Sequence, residues 1–368
     1  MKITILSHNL SSNASMRAHR LAVAARHFAD VTLIGPMEKK GAWPALPSEP
    51  WIKAVEEKRF PRFFLSLLQL VEAADGNVLI AAKPHLASFG VALLAAEQRS
   101  VPVLLDIDDL DIAFTPREQW SEKPAVTDIH RPSSAIYLSL LTRAAPAASA
   151  ITVSSTALQK KFGGTLLPHG SLTELFNPDK IARQRARQEF GFTKPTVLFA
   201  GTPRWHKGLK PLAKAVTKVP GAELAVLCRP EDLAEAQWDR FPLLRLPLVS
   251  YNTMPRLLAA ADVVAIPQLD TEVSRHQMPM KLYDAMAMAK PIVASAISDL
   301  PSLLDGCGRV VAPGDVDKLA EAIAELLQDS KEAKILGQRA RSRCLENFSM
   351  RNVSAILEQV ISRALKTL

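Results

Sequence analysis

Residues 276–295 read His276-Gln-Met-Pro-Met-Lys-Leu-Tyr-Asp284 and then Ala-Met-Ala-Met-Ala-Lys-Pro-Ile-Val-Ala-Ser295. Pro279 suits the first helical position, where its missing N–H is no loss. Nothing breaks a helix from there to Met288. Lys290-Pro291 stops it, and Ile292–Ser295 has the continuous apolar character of a short buried strand. Lys281 stands in the first turn with Met280 and Leu282, and Asp284 lies three residues on, so Lys281 and Asp284 share a face. A lysine at the positive end of a helix is electrostatically misplaced, unless an anion docks there, as phosphates do at helix N-termini. Asp284 could then accept hydrogen bonds from ligand hydroxyls. The competing reading is a solvated Lys and Asp on a surface helix.

A helix running into a strand belongs to an α/β domain, and the rest of the chain repeats the pattern. Ile3 to Leu6 reads as a buried strand. Ser11-Ser12-Asn13 offers caps for a helix with Met16, Leu21, Ala24, Ala25 and Phe28 on its apolar side, and Val31 to Ile34 as the next strand. Strand, polar turn, helix, strand opens a doubly wound parallel sheet. Arg17, in the first turn of that helix, could meet an anion or simply face solvent. Gly35 to Pro50 lacks periodicity and reads as a loop.

The segment from Val55 to Leu70 interleaves Lys58, Arg59 and Arg62 with Phe60, Phe63, Phe64 and Leu67. It reads either as a helix packing on the sheet or as an interfacial segment for acidic lipid. Val78 to Ala82 is a strand with Lys83-Pro84-His85 beyond its C-terminal end, where open α/β sheets bind ligands. Val101 to Asp111 runs from a strand into Asp106, Asp108, Asp109 and Asp111. Four carboxylates so close together need a cation, a proton or hydrogen-bond donors to offset their repulsion. Helices are expected at 131–148, 181–190, 209–219, 317–327 and 331–346, and strands at 151–155, 195–201, 223–228, 243–249 and 262–267. A last helix has its apolar stripe on Val353, Ile356, Leu357, Val360, Ile361 and Leu365.

The chain has 368 residues, 48% of them hydrophobic, with a formal charge of +8. That length suits two domains with substantial cores, and the charge favours anionic partners. Cys228, Cys307 and Cys344 have no metal-ligand spacing and suit reduced, structural thiols. The N-terminus lacks the apolar length of a signal peptide and reads as a first strand. No apolar run reaches the roughly 18 residues of a spanning helix. No basic stripe with interleaved aromatics is long enough to argue for nucleic acid.

The block 276–295 resembles the donor-binding segment of retaining GT-B glycosyltransferases of the family 4 type (glycosyl transferases group 1). In that family it carries two glutamates flanking seven residues, then Ala-Met-Ala and a Pro-Val-Val-Ala-Ser strand. Asp284 falls on the second glutamate, which the resemblance assigns to the nucleotide ribose. His276 replaces the first, which contacts the transferred sugar. Thr202-Pro-Arg-Trp-His-Lys-Gly208 is similar to the family's Gly-Arg…Lys-Gly loop, which implies Lys207 and Arg204 on the donor diphosphate, with Arg204 displaced by two positions. Leu166-Leu-Pro-His-Gly170 and Phe176-Asn-Pro178 resemble the segment that closes the family's first domain. Asp108 stands where the family often has a histidine beside the reacting sugar, and Asp109 matches the aspartate after it. The family's glycines after the first strand are Ser11-Ser12-Asn13 here.

The resemblance implies a GT-B fold, two Rossmann-like domains facing a cleft: 1–175 on the acceptor side, 176–347 for the nucleotide sugar, and 348–368 as a helix crossing back. Its catalytic set is Asp108, Asp109 and His276. Its donor-binding set is Asn13, Arg17, Arg204, Lys207, Met280, Lys281, Leu282 and Asp284. The implied reaction moves a sugar from a nucleotide diphosphate sugar to an acceptor hydroxyl, with retention, without metal and without a cofactor beyond that substrate. The acceptor is a saccharide or a lipid-linked saccharide, and the expected location is cytoplasmic, peripheral at the inner membrane face. Asp106-Ile-Asp108 also matches the metal-binding Asp-x-Asp of GT-A enzymes and resembles the strand-end Asp-x-Asp of haloacid-dehalogenase-like phosphatases, whose following small residue and threonine are missing here. Two further readings stay open: a nucleotide-sugar epimerase of the same fold, and a catalytically silent nucleotide-sugar-binding subunit.

Overall fold

The computed structural model of the chain describes residues 1–114, 129–233, 238 and 241–366. It divides into two units, Met1–His169 with Met350–Leu368, and Gly170–Ser349.

Among the described residues the first unit carries seven parallel strands: β1 (Lys2–Ser7), β2 (Asp30–Met37), β3 (Ile52–Glu56), β4 (Val78–Ala82), β5 (Val103–Ile107), β6 (Ala150–Val153) and β7 (Thr165–Leu166). Their order is β3-β2-β1-β4-β5-β6-β7. β4 and β5 are buried along their whole length, as central strands covered on both faces must be. Helices Phe63–Ala73 and Val91–Arg99 pack together, and helix Ser15–Ala25 packs against the final helix, Met350–Ala364. The final helix therefore completes the first unit, with Val353, Leu357, Val360 and Ile361 buried.

Among the described residues the second unit has six parallel strands: β8 (Thr196–Phe199), β9 (Glu223–Leu227), β10 (Leu243–Leu246), β11 (Val263–Ile266), β12 (Ile292–Ser295) and β13 (Arg309–Val311). They are ordered β10-β9-β8-β11-β12-β13. Its core joins Val197, Phe199, Val226, Val263 and Val293 to Leu212, Val216, Ile323 and Leu336 of the flanking helices.

Both sheets thus reverse direction after their first strand, between β1 and β4 and between β8 and β11. In doubly wound sheets the C-terminal ends of the strands at such a reversal form the ligand crevice. Two places for chemistry follow from topology alone.

Several local expectations need correction. The 35–50 loop begins later than its sequence suggests, because β2 runs on through Gly35 and Pro36 to pair with β3. Pro36 is tolerated because the pairing with β1 stops at Leu6 and Ile34, so its missing N–H faces no strand partner, and its carbonyl accepts from Leu10 N–H. β3 itself, an edge strand with a half-exposed pattern, carries no clear apolar signal. The helix expected at 131–148 spans only Ala135–Arg143, followed by a short turn containing Pro146. The N-cap of helix Ser15–Ala25 is Ala14, and the Ser11 and Ser12 hydroxyls donate to the Gly41 and Asn9 carbonyls. The backbone carbonyls of Ser12 and Asn13 accept from Ser15 and Met16 N–H instead. Pro279 sits one residue ahead of helix Met280–Ala287, in an extended conformation.

Candidate active site

The crevice of the second unit is built from the segments after β8 and β11. After β8 the chain runs through Gly201 into a short turn, Trp205–Lys207, and Gly208 takes a left-handed φ of +68° before helix Leu209–Thr217. A Cβ at Gly208 would lie 1.8 Å from the carbonyl oxygen of Pro267, the residue just past β11. Only glycine fits both that conformation and that approach. The His206 carbonyl accepts from Leu269 N–H at 2.9 Å and from Ser274 Oγ at 3.4 Å. These contacts stitch the Lys207 loop to the segment leading into helix Glu272–Arg275 and on to His276. Gln268 Nε2 donates to Gln277 Oε1 across the same segment (3.2 Å).

Lys281 reaches into this crevice. Its ammonium lies 4.3 Å from the centroid of the Phe199 ring at the end of β8. A Cβ on Gly201 would be 2.4 Å from its Nζ. Desolvation, and then the positive charge of Lys207, hold the Lys281 ammonium well below the ordinary lysine range. No carboxylate pairs with Lys281 among the described residues. The N–H groups of Met280 and Lys281, at the start of the helix, likewise have no acceptor among them. Two lysines repelling each other at a helix N-terminus, over a glycine-bounded strand end, are arranged for an anion of more than one charge.

The remaining second-unit candidates divide. Asp284 is buried one turn into the same helix, and its Oδ1 accepts from Ser171 Oγ at 2.8 Å. Leu282 is fully buried, so its side chain positions the helix and its N–H is taken by the Pro279 carbonyl at 3.0 Å. His276 follows helix Glu272–Arg275 and its Nδ1 donates to the Glu272 carbonyl at 2.8 Å, which fixes the protonated nitrogen and turns the ring. Arg204 is exposed; burial acts to raise the Asp232 carboxyl, but the hydrogen bonds and charge of Arg229, and behind them the charge of Arg204, hold it below the usual range. Lys207 lies close enough to Lys281 for its charge to act on that ammonium.

In the first unit the crevice between β1 and β4 holds a second cluster. His8, just past β1, stacks on His85, just past β4, with ring centroids 4.1 Å apart. Burial, with the neighbouring His85 and Lys83, pushes the His8 imidazole well below its ordinary range. Lys83 supplies the cation that the acidic run requires: its Nζ lies 2.9 Å from Asp108, 2.7 Å from Asp109 and 3.1 Å from Asp111. Burial still dominates at Asp108 and raises its carboxyl to about 7 despite Lys83.

Arg17 needs correction as a donor ligand. It is 1% exposed and its guanidinium is consumed within the first unit. Nε and Nη2 donate to the two oxygens of Asp106 at 2.8 and 2.7 Å. The remaining N–H groups reach the Leu167 and Pro168 carbonyls and His169 Nδ1. With Thr152 Oγ1 also donating to Asp106 at 2.7 Å, that carboxylate is equally committed. Arg17 and Asp106 form a buried structural pair, so Asp106 and Asp108 do not act as a matched Asp-x-Asp. Asn13 is exposed on the loop after β1.

Lys83 as counter-ion, His8 and Ser171 were not assigned these roles from sequence. For His8 and Lys83 the signal was position, since each directly follows a strand at the reversal. For Ser171 there was none.

Residues 194–329 match the family described as "Glycosyl transferases group 1". A mannosyltransferase of Mycolicibacterium hassiacum, "MMP alpha-(1->4)-mannosyltransferase", is 37% identical over 120 residues, 32% of this chain and 28% of that protein. A "GDP-mannose-dependent alpha-(1-6)-phosphatidylinositol monomannoside mannosyltransferase" of Mycolicibacterium smegmatis is 30% identical over 215 residues, 53% of this chain and 55% of that protein. The chain thus spans about half or less of the length of these relatives. Among solved structures, Anabaena HepE in complex with UDP-glucose superposes with a TM-score of 0.75 at 17% identity, covering 100% of both chains. That likeness establishes the fold, two Rossmann-like units of GT-B type.

Proposed function

We propose that the chain is a group 1 glycosyl transferase of GT-B fold that transfers a sugar from a nucleotide diphosphate sugar to an acceptor hydroxyl, with retention and without a metal ion. The observation that carries the proposal is the Lys207–Lys281 pair at the strand reversal of the second unit, beside the start of helix Met280–Ala287. As the bond from the anomeric carbon to the diphosphate breaks, negative charge grows on the leaving oxygens. Fixed donors aimed at that charge lower the barrier more than they lower the ground state. Two ammonium groups and the Met280 and Lys281 N–H groups do this without a divalent ion. Asp284, held by Ser171, accepts from the ribose hydroxyls. His276 faces the transferred sugar.

A nucleotide sugar as donor is supported by the HepE complex with UDP-glucose and by the GDP-mannose dependence of the mycobacterial relative. That relative's phosphatidylinositol-linked acceptor supports a saccharide or lipid-linked saccharide here. The test is incubation with labelled UDP-glucose and GDP-mannose, with lipid and saccharide acceptor fractions, in saturating EDTA. Label should move to an acceptor with the donor's anomeric configuration. Strict dependence on added manganese would refute metal independence. Donor turnover without acceptor would indicate the epimerase, and binding with neither transfer nor hydrolysis would indicate a silent subunit.

A further inference from the structure

We infer that Trp205 is the platform on which a sugar ring of the acceptor stacks, an assignment that rests on the sugar transfer proposed above. Among the described residues Trp205 is the most exposed of the large apolar side chains, at 66%. Leaving an indole in water forgoes the burial that so large an apolar side chain could gain, and Trp205 does so in the loop that carries Lys207. The loop itself is fixed. Gly208 closes it against Pro267, where a Cβ would meet the carbonyl oxygen, and the His206 carbonyl is tied to Leu269 and Ser274. The His206 ring is fully buried, and the indole meets it with centroids 5.3 Å apart and planes at 77°. Aromatic rings favour that T-shaped arrangement. It orients the indole and leaves most of the residue open to solvent. Tryptophan has only two side-chain torsions to freeze, so a backbone held this way presents the ring at low entropic cost.

The surroundings identify the occupant. Lys207, two residues on, serves the diphosphate together with Lys281. The ties from His206 run to the segment that leads through helix Glu272–Arg275 to His276. Trp205 therefore belongs to the sugar end of the donor site, whereas Asp284 and Ser171 mark the ribose end. With His276 facing the transferred sugar, the solvent-open indole is left for a ring that arrives from solution. A protein partner fits poorly. Apart from Trp205, the only large apolar side chain exposed among the described residues of 170–349 is Leu345, on helix Ser330–Asn347. A protein interface needs an apolar centre and about 1,000 Å² or more, which one indole does not supply. A pyranose needs only one flat face. Its C–H groups suit the negative face of the indole, and its hydroxyls can accept from the indole N–H.

Fluorine NMR on chain labelled with 5-fluorotryptophan tests this. The chain has five tryptophans, and the signal missing from Trp205→Phe assigns the indole. With UDP or GDP at saturation, the methyl glycosides of mannose, glucose, galactose and N-acetylglucosamine are titrated in, and mannitol serves as a polyol without a ring face. At least one glycoside should shift the Trp205 signal, and mannitol should not. Trp205→Ala should bind that glycoside about tenfold more weakly, read by saturation transfer to its C–H protons, and Trp205→Phe should lose less. Nucleotide affinity should be unchanged in both variants, and because the side chain is exposed their thermal midpoints should match the parent. A Trp205 signal that no glycoside moves, or a Trp205→Ala variant that binds glycoside as the parent does, would overturn the inference. So would a signal that moves with UDP-glucose and with no free glycoside, since the indole would then hold the transferred sugar. Failure of UDP and GDP to bind the parent would remove the transferase reading and the inference with it, whereas an unmoved signal with nucleotide bound removes the inference alone.

Discussion

Replacing Lys83 with methionine should destabilise the protein by about 3–5 kcal/mol, the usual result of removing one partner from a buried ion cluster. Lys83 is buried, and its ammonium serves three carboxylates at once. Methionine keeps most of the volume and removes the charge, leaving Asp108, Asp109 and Asp111 to repel one another at the end of β5. The loss should depend on pH in a defined direction. Without the lowering influence of Lys83, burial raises the Asp108 carboxyl further above its unfolded value of about 3.9. The native state then keeps a proton that the unfolded chain has released. Stability is retained below that unfolded value and falls as pH rises through the folded one. Asp108 already stands at about 7 with Lys83 present, so the deficit should be larger at pH 8 than at pH 5. Denaturant titration at the two pH values measures it. A pH-independent deficit, or none, would mean that Lys83 does not carry the cluster.

The second large effect is on ligand affinity. Lys281→Met and Lys207→Ala should each weaken nucleoside diphosphate binding by roughly 10- to 150-fold, the loss of a charge-assisted hydrogen bond worth about 1.5–3 kcal/mol. Nucleoside binding should change little in either variant. Because desolvation, and then Lys207, hold the Lys281 ammonium low, an arriving diphosphate restores its charge, and binding should take up protons at pH values from that lowered value upward. Titration calorimetry in buffers of different ionisation enthalpy reads both quantities. Equal losses for nucleoside and diphosphate would remove the phosphate role from the two lysines.

Legibility in the sequence followed burial. β1, β4, β5 and β12 are covered on both faces and read as continuous apolar runs, so the doubly wound architecture was clear from them. β3 and β13 lie at sheet edges, where half-exposed or very short strands lose the apolar signal. The donor-side loop and helix were legible because their chemistry is local: Lys207-Gly208 precedes one helix and Lys281 begins another. Arg17 was misread for the opposite reason. A cation in a first helical turn looks exposed, and its partner Asp106 is 89 residues away. Lys83 had the same difficulty, since the four acids announced a missing counter-charge but not the strand that would deliver it. Position and residue type show where a group starts, whereas burial and long-range pairing decide whether it meets a ligand or the protein itself.

Hydrogen–deuterium exchange on the intact chain, with and without saturating UDP or GDP, tests the central claim most directly. Ligand bound at the β8–β11 reversal should slow exchange in residues 201–208 and at the Met280 and Lys281 amides, which have no acceptor among the described residues. Protection elsewhere in the second unit should be small. Unchanged exchange in both segments, with the nucleotide demonstrably bound, would place the diphosphate away from Lys207 and Lys281 and contradict the account.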